Sequence, residues 1–126
     1  MAEDTALHSP SFCRADLMDR LDGDEELLRE IVEVFLSEGP GRIEEIRTAL
    51  QEGDAPKIER SAHSMKGAAA NISACRLRGV AHDIESAARQ GALALAASLE
   101  DALDREYRIL SAELTKTITA CGDGDG

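Results

Sequence analysis

Residues 55–72 read APKIERSAHSMKGAAANI, and within them Ile58, Ala62, Met65, Ala69 and Ile72 fall at steps of 4, 3, 4 and 3. That spacing lays one narrow apolar seam along a helix, of the kind buried inside helix bundles. Pro56 sits in the first turn, where its missing N–H costs little. Asn71-Ile72-Ser73 is expected to end the helix, with Ser73 capping the next one.

Upstream, Asp24 reads as an N-cap followed by acidic Glu25 and Glu26, which suit the positive end of a helix dipole. Leu27, Leu28, Ile31, Val32, Phe35 and Leu36 then form an amphipathic stripe, resumed by Ile43, Ile46 and Leu50 beyond Gly39-Pro40-Gly41. A single helix over about 24–52, kinked at Pro40, is expected, with two separate helices as the alternative. Before it, Phe12, Leu17, Met18 and Leu21 predict a brief first helix, stopped near Asp22-Gly23. Downstream, Leu77, Val80, Ala81, Ile84 and Ala88 carry another stripe up to Gly91. A last helix over about 92–118 turns Ala96, Leu99, Leu103, Leu110 and Leu114 inward. The expected fold is all-α: an antiparallel up-down-up-down four-helix bundle over 11–118 with a short extra N-terminal helix. Residues 1–10 and 119–126 are expected to be flexible tails.

Composition agrees. Aromatic residues make up only 2% of the 126 residues (Phe12, Phe35 and Tyr107), so the core must come from Leu, Ile, Val and Ala. That favours helices over sandwiches and barrels. A net charge of −11 opposes binding to phosphate backbones, so nucleic acid is excluded as a partner. The longest apolar run, Ala92 to Leu99, is too short to cross a bilayer, and no secretory signal is visible. Cys13, Cys75 and Cys121 match no zinc or haem spacing and are expected to be free thiols in a reducing cytoplasm.

The 55–72 helix is chemically odd on its outer face. At 100° per residue, His63 points about 140° away from the seam, toward water or a partner. Gly67 and Ala70 follow on the same face, Arg60 precedes by one turn, and Lys66 flanks it. A mid-helix glycine costs about 0.8–1 kcal/mol relative to alanine. Gly67 therefore calls for a reason, and close approach of another molecule to the His63 ring supplies one. Between Asp54 and Gly79 there are five basic and two acidic residues, against nine and 23 in the rest of the chain. A basic strip around an exposed imidazole suits a transient phosphate. A neutral imidazole nitrogen is a competent nucleophile near pH 7, and Lys66 could offset the phosphoryl charge. From these residues alone, an ordinary surface histidine and a phosphate-carrying one both stand open.

The string Ala62-His63-Ser64-Met65-Lys66-Gly67, followed by Ala74 and Leu77, resembles the signature of histidine phosphotransfer (HPt) domains, A-H-x-[LM]-K-G and then G-A-x-x-L. The likeness extends to Phe35-Leu36, Pro40, Ala49-Leu50 and Gly53-Asp54 upstream. Downstream it takes in Val80-Ala81, Ile84-Glu85 and Ala88-Arg89 with Gly91, so that it spans roughly 15–115. It implies a four-helix bundle whose imidazole accepts a phosphoryl group from a receiver-domain aspartate or a histidine kinase and passes it to another receiver in a two-component phosphorelay. It makes His63 the phospho-acceptor, Lys66 the phosphate-stabilising residue and Gly67 the clearance position, with Gly67, Ala70 and Arg60 on the docking face. Mg²⁺ is expected on the partner receiver, and no cofactor on this chain. With no Walker or glycine-rich ATP motif, a stoichiometric carrier rather than an enzyme is implied. A cytoplasmic monomer is expected, docking response-regulator receivers or a hybrid histidine kinase, and Met1 with the loose ends fits a free-standing carrier. The pattern departs at Ser73, where the family usually has glycine. A left-handed turn there strains serine, so a different loop closure is expected.

Two rival classes stand beside this reading. A di-iron bundle needs Glu-x-x-His pairs, but Glu59 and His63 are four apart and His82 has no Glu three residues before it. His82 then reads as a solvated helix residue and His8 as part of the tail, with no metal. The alternative function is a non-phosphorylated interaction module that docks a signalling partner on the same face.

Overall fold

A computed structural model describes residues 11–125, with side chains through 119. Among these residues there are six helices and no strand: α1 (Arg14–Arg20), α2 (Glu25–Glu52), α3 (Ala55–Asn71), α4 (Cys75–Arg89), α5 (Leu93–Ser98) and α6 (Glu100–Asp125). Residues 1–10, expected as a tail, lie outside the described residues.

The ends of the helices follow local chemistry. Asp24 accepts a hydrogen bond from the Leu27 N–H at 3.0 Å, and Asp54 accepts one from Lys57 N–H at 3.2 Å, so both serve as side-chain N-caps. Gly53 takes φ +67° and closes α2, its N–H reaching Leu50 O while Asp54 N–H reaches Ala49 O. Helix α2 runs through Pro40 as one element and not as two separate helices. Gly39, expected only to interrupt the stripe, has a different use. It is buried, and a Cβ built there would lie 2.1 Å from Tyr107 Oη of α6, so its bare backbone seats the tyrosine ring. That ring also packs at 6.0 Å from Phe35, tilted.

The α3 seam is buried throughout: Ile58, Ala62, Met65, Ala69 and Ile72 join one core with Val32 and Ile46 of α2, Leu77 and Ile84 of α4, and Leu103, Leu110 and Leu114 of α6. Cross-helix contacts fix the directions. Glu52 meets Lys57 and Arg42 meets Ser64, so α2 and α3 run antiparallel. Glu59 meets Arg89 and His63 meets Glu85, so α3 and α4 do as well. Gly39 against Tyr107 and Arg47 against Glu100 place α6 antiparallel to α2.

Three expectations need correction. The helix expected over 92–118 is two helices, parted at Leu99, where the Ser98 hydroxyl donates back to Leu95 O at 2.6 Å and competes with the main-chain ladder. Helix α6 continues past 118 through Asp125, no proline intervening, in place of the separate tail expected from 119. Ser73 does not cap α4: the N-cap residue is Ala74, without a side-chain bond. Ser73 instead adopts the left-handed φ of +60° and is buried, so the turn is kept despite its strain. Its hydroxyl donates to Asp16 Oδ2 at 2.6 Å and accepts from the Arg20 guanidinium at 2.5 Å. The same guanidinium also donates to Ala70 O and Asn71 O. Helix α1 thus supplies the polar partners that hold the α3–α4 turn in a conformation serine disfavours.

Candidate functional site

The register of α3 is set by its seam, and with Ala62 and Met65 fully buried the residue between them on the opposite side is pushed out. His63 is 68% exposed at its side chain. Gly67, Ala70 and Arg60 are exposed as well, as the periodicity requires. A Cβ placed on Gly67 would meet nothing within 4 Å, so no contact inside the protein accounts for the glycine.

What periodicity could not supply is the partner of the ring. Nδ1 of His63 lies 2.8 Å from Oε2 of Glu85 on α4, a carboxylate whose side chain is only 3% exposed. Lys66 Nζ stands 2.6 Å from the other oxygen of the same carboxylate, and Arg89 donates to Oε2 at 3.0 Å while its Nε reaches Glu59. Burial alone would raise the Glu85 carboxyl. Hydrogen bonds from Lys66 and His63, with their charges, outweigh it and hold that carboxyl below its ordinary range. An ionised carboxylate only accepts hydrogen bonds, so Nδ1 is the donor. In the neutral ring Nε2 is then left with its lone pair, turned away from α4.

The electrostatics differ from the expected open basic strip. Of the five cations between Asp54 and Gly79, Lys57 pairs with Glu52, Lys66 with Glu85 and Arg76 with Glu106. Antiparallel packing brings acids from α2, α4 and α6 against them. Lys66 is 25% exposed and beside the ring, yet its charge is shared with Glu85.

On the other side of His63, α2 and α3 bound an open groove of about 440 Å³. Ile31, Val34 and Phe35 give it an apolar wall, Glu38 and Arg42 a polar one, and His63, Ser64, Gly67 and Ala68 the α3 side. Val34 is exposed despite its size. Of the expected docking residues the groove takes in Gly67, while Ala70 and Arg60 lie on the outer face of α3 without lining it. His82 is exposed and borders a smaller cleft with Lys66, Cys75, Arg78 and Gly79. Cys13 and Cys75 are free thiols. No group of three or more His, Cys, Asp or Glu among the described residues is placed to hold a metal ion, and no described helix is long and apolar enough to cross a membrane.

Glu85, Arg89 and Arg42 are the site residues that the sequence reading did not assign. For Glu85 a signal existed: it lies four residues after buried Ala81 and three before buried Ala88, so an acid stands where the α4 stripe calls for an apolar side chain.

Comparison with known proteins links the chain to a family and to a solved structure. The family model "Hpt domain" matches residues 30–113. The crystal structure of histidine-containing phosphotransfer protein B (HptB) from Pseudomonas aeruginosa PAO1 is similar with a TM-score of 0.79 and 28% identity, covering 86% of this chain and 94% of that one. No curated protein matches the chain.

Proposed function

Because the chain belongs to the Hpt domain family and acts as a phosphocarrier in a two-component phosphorelay, we propose that His63 Nε2 is the atom that carries the phosphoryl group. The observation that carries this reading is the 2.8 Å contact of Nδ1 with buried Glu85, which leaves the exposed ring its other nitrogen as nucleophile.

The transfer we infer is an in-line displacement. Nε2 attacks the phosphorus of a receiver's aspartyl phosphate, the N–P bond forms, and the aspartate leaves with the electrons of the P–O bond. The receiver's own site holds the Mg²⁺ that offsets charge on the phosphoryl oxygens. Attack by Nε2 leaves positive charge on a ring still protonated at Nδ1, and the Glu85 carboxylate stabilises it through a charge-assisted hydrogen bond. Lys66 adds a cation beside the phosphoryl. Gly67 leaves room for the receiver, whose apolar surface would rest on Ile31 and Val34 at the groove wall, with Ala70 and Arg60 at the margin. The scaffold would be an up-down-up-down bundle of α2, α3, α4 and α6, with α1 as the extra N-terminal helix. The chain supplies position and electrostatics and no ATP site. It would work as a cytoplasmic monomer between receivers, or between a hybrid kinase and a receiver.

Transfer from a panel of labelled receiver domains, without ATP, tests the assignment. Acid-labile, alkali-stable label on the wild type and none on His63→Gln is expected. Equal label on folded His63→Gln would move the acceptor elsewhere.

A further inference from the structure

The groove beside His63 is lined by a cation of its own, Arg42 of α2, whereas Lys66 borders the cleft on the other side of α3. Arg42 of α2 donates to Ser64 Oγ at 2.5 Å, next in sequence to His63, and from its other terminal nitrogen to Glu38 Oε1 at 3.1 Å. All four residues line the one cavity. With Nδ1 turned to Glu85 of α4, Nε2 is turned away from α4, and the groove on its open side is bounded by α2. A guanidinium offers a fork of donors that matches two phosphoryl oxygens at once. Its resting partners hold it weakly: a neutral hydroxyl, and a mostly exposed carboxylate one turn back on the same helix. Lys66, in contrast, is bound to a buried carboxylate.

Resting on the reading of His63 as phospho-acceptor, we propose that Arg42 is a phosphate-binding residue: when a phosphoryl group stands on Nε2, the Arg42 guanidinium leaves Ser64 and Glu38 and pairs with its oxygens across the groove. The phosphoryl group, close to a dianion at neutral pH, is then held from two helices, by Lys66 of α3 and Arg42 of α2. Spontaneous loss of the group follows attack of water on phosphorus: the P–N bond breaks, its electrons return to the ring nitrogen, and inorganic phosphate departs. The transition state is loose and metaphosphate-like, drawing electron density from the phosphoryl oxygens toward phosphorus. In hydrolysis by free water, with no receiver Mg²⁺ or in-line aspartate engaged, donors on those oxygens favour the dianionic ground state over that shift, so Arg42 lengthens the lifetime of phosphohistidine.

The test needs no partner protein. Phosphoramidate donates its phosphoryl group to imidazole as ammonia leaves. After the reagent is removed, phosphohistidine is followed by ³¹P NMR in wild type, Arg42→Ala, Arg42→Lys and His63→Gln. The expected half-life of Arg42→Ala is shorter than wild type by about threefold or more, with Arg42→Lys between them and the helical circular dichroism unchanged. A half-life in folded Arg42→Ala equal to wild type overturns the proposal. Equal labelling of His63→Gln overturns instead the assignment of His63, and the proposal with it.

Discussion

Nδ1 of His63 and Oε2 of Glu85 stand 2.8 Å apart, joining a ring exposed on α3 to a carboxylate buried on α4. The pair gives the ring one tautomer and one orientation, which a surface histidine on a solvated helix would lack. Lys66 and Arg89 complete the balance by sharing the same carboxylate.

Glu85→Gln keeps a hydrogen-bonding oxygen for Nδ1 but removes its charge. A charge-assisted bond exceeds a neutral one by about 1 kcal/mol, so phosphoryl uptake from a receiver should slow about fivefold. Single-turnover transfer kinetics measure this, and an unchanged rate would deny Glu85 any part in stabilising the charged ring.

The same carboxylate predicts an acid limb. Its folded-state pKa is depressed, so its contribution to stability is fully present above the unfolded value of about 4.3 and is lost as pH falls through the folded value. Denaturant melts should show the stability gap between wild type and Glu85→Gln narrowing from about pH 7 to about pH 3. A gap that widens on acidification would contradict the sign.

Gly67→Ala separates stability from function. Nothing within the protein meets the new Cβ, and alanine is favoured over glycine in a helix by about 0.8–1 kcal/mol, so the melting temperature should rise. Transfer from a receiver should nevertheless slow, because the methyl group stands one turn from His63 on the face a partner must approach. Faster or unchanged transfer would remove the clearance role.

Ser73 carries left-handed strain and two side-chain partners, and two substitutions tell these apart. Ser73→Ala keeps the strain and loses the bonds to Asp16 and Arg20, at an expected cost of about 1–2 kcal/mol. Ser73→Gly also loses the bonds but relieves about 1 kcal/mol of strain, so it should cost less. Urea melts giving the two variants equal losses would assign no strain to the turn.

Much of this molecule was legible from spacing. The 4-3-4-3 seam of α3, the cap Asp24 and the exposure of His63 and Gly67 all depend on separations within one helix. Ser73 shows where local reasoning fails. The cost of a left-handed serine follows from the residue itself, but whether the loop pays it does not, because the compensating partners sit on α1, 53 and 57 residues away. Gly39 is a like case: its neighbour is Tyr107 of another helix.

By itself the sequence determined an all-helical chain with one imidazole presented outward over a glycine, since backbone periodicity converts residue spacing directly into a face. Only the tertiary structure decided what stands beside that imidazole. Glu85 meets His63 across 22 positions and Arg42 meets Ser64 across 22 in the other direction, one contact through the α3–α4 turn and one through the α2–α3 turn. A slip of one residue in either helix would rotate these side chains by about 100° and part them. The packing of the core sets that register, and no spacing along a single helix encodes it.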